Sequence, residues 1–144
     1  MATNNLHIQS FEENLIDIDD QRWRKNKAGV SETGENGSLI IDDAAKAEDG
    51  GHRVGAYLVS GVPVYRDIDA DGFHVVKVFN TAAKDAGHKV AGFTQSINRI
   101  MDINGQYFDR IPVGIQTGGE IYPDWLPVDL EAEDIPVRFG TSPL

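Results

Sequence analysis

The sequence predicts a mainly β protein: a small barrel-like or sandwich-like domain of short strands, with at most one or two short helices, behind an extended N-terminal arm. From Val54 onward, short runs of β-branched and aromatic residues are punctuated by Gly, Pro and Asn turn formers. Neither an internal repeat nor an apolar heptad is present. Before that point, from Met1 to Gly51, the chain is polar and its apolar residues are too sparse to close a core alone.

The arm carries two apolar clusters, Leu6, Ile8 and Phe11, then Leu15, Ile16 and Ile18, followed by the basic knot QRWRKNK around Trp23. The next stretch, AGVSETGENGS, is dense in turn formers and reads as a flexible linker. A short strand is expected at Leu39–Ile41, and DDAAKAEDGG reads as a polar turn or a single helical turn ended by Gly50 and Gly51. In RVGAYLVSGVPVYR, small and β-preferring residues alternate and are broken by Gly55, Gly61 and Pro63, which fits two short strands at a bend. DIDADG is then a turn and FHVVKVF a partly buried strand. NTAAKDAG is either a short helix closed by Gly87 or a loop. KVAGFTQSINRIMDI leads into Asn104-Gly105, the favoured pair for a type I′ hairpin, with YFDRIPVGI returning. Pro123 and Pro127 make EIYPDWLPVDL an edge or packing segment, and the tail alternates Ile135, Val137 and Phe139 as in a short strand. The expected division is an arm and linker over 1–53, a compact β-domain over 54–127 and an acidic, Pro-containing tail over 128–144.

Charge narrows the function classes. A net charge of -10 and a pI near 4.6 oppose binding to nucleic acid or an anionic membrane, which needs a concentrated positive face, and favour protein partners. No cysteine is present, so disulfides, thiolate nucleophiles and Cys-ligated zinc are ruled out. The opening MATNNLHIQS lacks a charged n-region and an apolar h-region, which leads us to expect a soluble protein made inside the cell.

No motif found in the chain carries chemistry. Asp67-Ile68-Asp69-Ala70-Asp71-Gly72 matches the first half of an EF-hand loop, but the position of its bidentate Glu is Val78, so Asp67, Asp69 and Asp71 are read as a hairpin turn rather than a metal site. His7, His52, His74 and His88 lack metal-ligand spacing and are read as surface or half-buried imidazoles. The serines at 10, 31, 38, 60, 96 and 142 have no nucleophile-elbow context. Arg22, Trp23, Arg24, Lys25 and Lys27 could stack on bases, yet in so acidic a chain they fit a protein anchor or a solvated arm better. No enzyme activity and no cofactor are expected.

The stretch from Lys89 to Pro127 resembles the head-decoration, or cement, proteins of tailed bacteriophages. The counterparts are Lys89-Val90-Ala91-Gly92-Phe93, then Ile111-Pro112-Val113-Gly114-Ile115 through Gly119-Glu120-Ile121, and Asp124-Trp125-Leu126-Pro127. Gly61-Val62-Pro63-Val64-Tyr65 and the Val75 to Phe79 strand are loosely similar to the family's first core strands. The resemblance implies a β-tulip-like domain that trimerises on the outer face of a phage head and bridges major capsid subunits, placing the protein in the virion. It also implies that Leu6, Ile8, Phe11, Leu15, Ile16, Ile18 and Trp23 are capsid-binding arm anchors, with Tyr122, Trp125 and Leu126 at the oligomer interface. The longer N-terminal region and the acidic tail depart from the short members of the family. An alternative is a soluble, non-enzymatic β binding module for a sugar or protein ligand, with Tyr122 and Trp125 as its platform. A small hydrolase with carboxylate chemistry is a third.

Overall fold

The computed structural model describes residues 20–24 and 33–142. In chain order the elements are β1 (Thr33–Ile40), α1 (Asp43–Lys46), β2 (Arg53–Val54), β3 (Tyr57–Leu58), β4 (Pro63–Ile68), β5 (His74–Val78) and α2 (Thr81–Asp85). They continue with β6 (Gly92–Thr94), β7 (Asn98–Arg99), β8 (Arg110–Ile121) and β9 (Phe139–Thr141), with single 3-10 turns at Pro123–Trp125 and Ala132–Asp134. The protein is mainly β with two short helices, as its short punctuated runs require.

Five strands close into a small barrel in the order β1-β5-β4-β6-β8, with β8 returning to β1. The β1–β8 seam is antiparallel from Gly34↔Gln116 to Ile40↔Arg110, whereas β1 meets β5 in parallel at Leu39↔Val76. Closure removes most of the unpaired edge that an open sheet would present. β9 lies outside the ring, parallel to the end of β8 at Gly119↔Phe139. A separate small sheet, β2-β3-β7, packs Leu58 against the barrel residues, joined by Ile100 just beyond β7.

Period-two alternation sorts the side chains of these strands into two cores. Leu39, Val64, Val76, Val78, Ile111, Val113 and Ile115 share the inner one. On β4, the neighbour of Val64 is Tyr65, which joins Trp23, Phe79, Phe93, Ile121, Leu126 and Phe139 in an outer core. Within it the Phe93 ring lies 5.8 Å from Trp23 and 5.1 Å edge-on from Phe139, centroid to centroid. Ile121 is odd-numbered like Ile111, Val113 and Ile115, yet it belongs to the outer core; between them the β1–β8 register shifts, with Gly34 opposite Gln116 and Thr33 opposite Gly118, so that Thr117 is an extra residue and the alternation is reset.

Local chemistry limits both helices. Asp42 caps α1 through Ala45 N–H at 3.1 Å, and Asn80 caps α2 through Ala83 N–H at 2.9 Å. α2 stops where Gly87 takes φ 91° and His88 N–H donates to Ala83 C=O at 3.0 Å. NTAAKDAG is thus a helix, and DIDADG ends β4 with Asp67 and Ile68 before a hairpin turn from Asp69 to Phe73, held by Asp69 Oδ1 accepting from Asp71 N–H and Phe73 N–H at 2.9 Å each.

Three expectations are corrected. The compact unit is not confined to 54–127: Thr33–Ser38, expected as linker, is most of β1, and the C-terminal segment supplies Phe139 to the outer core. Gly34 and Gly37 are close-packing positions rather than linker glycines, since a Cβ on Gly37 would stand 2.8 Å from Ile115 Cδ1 and one on Gly34 2.6 Å from Gln95 Nε2. The tail strand is Phe139–Thr141 and leaves Val137 fully exposed. The hairpin at Asn104-Gly105 is not type I′, because only Gly105 has positive φ (79°). Asp102 Oδ1 instead accepts from Asn104 N–H and Gln106 N–H at 2.8 and 2.9 Å, which holds the two intervening residues in a right-handed turn before the glycine.

Candidate functional site

Asp20–Arg24 is clamped to the barrel. Trp23 is fully buried, its indole N–H donates to Ser60 Oγ at 2.8 Å, and its carbonyl accepts from Tyr122 N–H at 2.7 Å. Arg24 bridges to Ile121 and donates from Nε to the buried Gln116 Oε1 at 2.9 Å. Gln21 donates from Nε2 to Gln95 C=O at 2.9 Å. Trp23 therefore belongs to the chain's own core, which corrects its expected role as a capsid-binding anchor: an indole with no exposed surface has none to offer a partner. The other proposed anchors, Leu6, Ile8, Phe11, Leu15, Ile16 and Ile18, lie outside the described residues, as do Lys25 and Lys27 of the basic knot.

The expected interface residues divide. Leu126 is buried in the outer core and packs within this chain, leaving it little surface for a partner. Trp125 packs partly buried on that core and carries the Arg22 guanidinium 4.0 Å from its ring centroid, a cation–π contact that covers one face. Tyr122 is half-buried beside it. The three aspartates are each drawn into the β4–β5 hairpin. Asp67 Oδ2 accepts from Lys77 Nζ at 2.9 Å, and this bond, followed by Ile68 N–H, holds its carboxyl below the usual range. Asp69 is lowered chiefly by Phe73 N–H, with Asp71 N–H and Arg110 adding. Asp71 is exposed.

The histidines do not converge. His74 is exposed and His88 stacks on Tyr65 with centroids 4.3 Å apart. His52 departs from the expected surface or half-buried imidazole: it is 5% exposed, with Nε2 3.3 Å from Ala45 C=O. It lines a cleft of about 500 Å³ between α1, α2 and the C-terminal segment. Val78, Phe79 and Leu130 supply apolar lining, and Asp49, Asp129 and Glu131 supply carboxylates. At its margin Lys84 joins α2 to the tail through Glu133 Oε1 (2.8 Å) and Asp134 Oδ1 (3.0 Å), which raise the lysine's pKa. A second cleft, of about 570 Å³, continues past Lys84 toward His88 and Arg138. These residues come from segments far apart in sequence, so no local motif announces them.

The charges that line the cleft are mostly negative. Apart from Lys84, whose ammonium is already paired, its ionised lining is acceptor-rich, and no nucleophile–base pair is assembled in it among the described residues. Comparison with known proteins gives no match to any family model, curated protein or solved structure.

Proposed function

We propose that this chain is a structural, non-enzymatic decoration protein of a tailed-bacteriophage head, which sits as a homotrimer on the outer surface and stabilises the shell by bridging major capsid subunits. The observation that carries the reading is the clamp at Asp20–Arg24: the sequence preceding it, with Leu6, Ile8, Phe11, Leu15, Ile16 and Ile18, is joined to a small closed β-barrel at a fixed point. A polar arm with apolar anchor clusters on such a base can add to a neighbouring subunit's sheet while the barrel makes further contacts. Several modest contacts made at once on a repeating shell gain avidity, because each contact after the first is effectively intramolecular. The resemblance of Lys89 to Pro127 to decoration proteins supports the same reading, as does the acidic surface, which suits a protein packed at high local density.

Electron microscopy of phage particles assembled with and without the chain tests this. Added density on the outer head surface, lost when residues 1–19 are deleted, is the expected result. Heads of identical surface in both preparations would refute it. The cleft beside α2 favours a second reading, a soluble binding module for a protein ligand, in which the chain would bind its ligand without any shell.

A further inference from the structure

We propose that the cleft between α1, α2 and the C-terminal segment receives an arginine side chain from a partner protein. The inference starts from His52. Ala45 C=O can only accept, so the 3.3 Å contact makes Nε2 of the 95% buried ring the donor. The other nitrogen, Nδ1, is then an acceptor in the neutral ring, and it has no hydrogen-bond partner among the described residues. Buried acceptors without partners are uncommon and ask for a donor. This nitrogen lies against Gly50, where a Cβ would stand 2.6 Å from it, and both residues line the cleft.

The rest of the lining makes the same demand. Asp49 and Asp129 form no ion pair or hydrogen bond among the described residues, and Glu131 accepts only from the backbone of the following 3-10 turn. The one cation, Lys84, is held by Glu133 and Asp134. A ligand that fits must therefore bring positive charge and several donors, on a stem that can lie against Phe79 and Leu130. A guanidinium with its five fixed N–H donors and apolar methylene stem has that character, and an ammonium presents only three donors at a point. The volume, about 500 Å³, lies in the range of ligand-sized clefts and exceeds what one such side chain needs.

The test is an amide-resolved NMR titration of the full chain with acetyl-Gly-Arg-Gly-amide, alongside the Lys and Glu counterparts. Saturable shifts at Asp49–His52, Asn80–Thr81 and Val128–Glu131 are expected for the Arg peptide, with weaker binding of the Lys peptide and none of the Glu peptide. The exposed D49N/D129N pair is expected to weaken binding at least threefold. Gly50→Ala, which covers Nδ1, is expected to weaken it as well, with folding checked by thermal unfolding. Equal binding of the Arg and Lys peptides would overturn the proposal, and so would an affinity unchanged in D49N/D129N. Shifts spread as strongly over Asp71 and Asp102 would mark a general response to acidic surface and overturn it too. No phage particle enters this experiment, so its failure is separable from failure of the decoration reading.

Discussion

Replacing Trp23 by alanine separates a docked segment from a free arm. The indole has no exposed surface, touches Phe93 and is hydrogen-bonded to Ser60. An aromatic of this kind buries about 200 Å², which at about 25 cal/mol per Å² corresponds to about 5 kcal/mol. Measured Trp-to-Ala losses of about 3–5 kcal/mol agree with that scale. Ser60 loses a donor but keeps Gln95 C=O at 3.3 Å, so the unmade bond adds only about 1 kcal/mol. We expect a loss of about 4–5 kcal/mol, a large share of the roughly 5–15 kcal/mol that holds a domain together. Urea unfolding followed by far-ultraviolet circular dichroism reads it as a lower midpoint at unchanged slope. Trp23→Phe, which keeps most of the packing and loses the N–H, is expected to cost about 1–2 kcal/mol. A loss below about 1 kcal/mol for Trp23→Ala would mean that Asp20–Arg24 is not docked in solution, and the reasoning that removes Trp23 from the arm would fail.

Further outcomes follow from the same geometry. Gly92→Ala is expected to cost more than about 2 kcal/mol because its Cβ would stand 2.4 Å from Gln116 C=O across the β6–β8 pairing, whereas Gly72→Ala, strained only by φ 86° in open space, is expected to cost about 1 kcal/mol; equal thermal shifts would contradict this. Asp69 has its pKa lowered in the folded state, so its contribution is present above the unfolded value of about 3.9 and is lost as pH falls through the lower folded value. A carboxyl-carbon NMR titration of Asp69 should accordingly give a midpoint below 3.9, and a midpoint at or above it would refute the assigned hydrogen bonds. In hydrogen exchange, amides of Gly34–Ile40 that pair with β8 are expected to be protected as strongly as their partners on β8; rapid exchange there would restore the linker reading of that segment.

The sequence by itself determined the class of fold and much of its punctuation. Asp69 and Gly72 mark the β4–β5 turn because an Asp side chain can hold its own following backbone and Gly accepts positive φ; Asn80 and Gly87 bound α2 for related reasons. These are short-range effects, legible within a few residues. Tertiary structure alone decided whether TGENGS was linker or strand: its glycines resemble a flexible stretch until β8 and Val76 are beside them and leave no room for a Cβ. It likewise decided the role of Trp23, whose basic and polar neighbours suggest an exposed knot although its partners, Ser60, Phe93 and Tyr122, lie at least 37 positions away. The cleft around His52 was beyond sequence reading for the same reason. Burial and an unmet hydrogen bond are properties of an assembled environment, and here that environment is brought together from β5, both helices and the C-terminal segment.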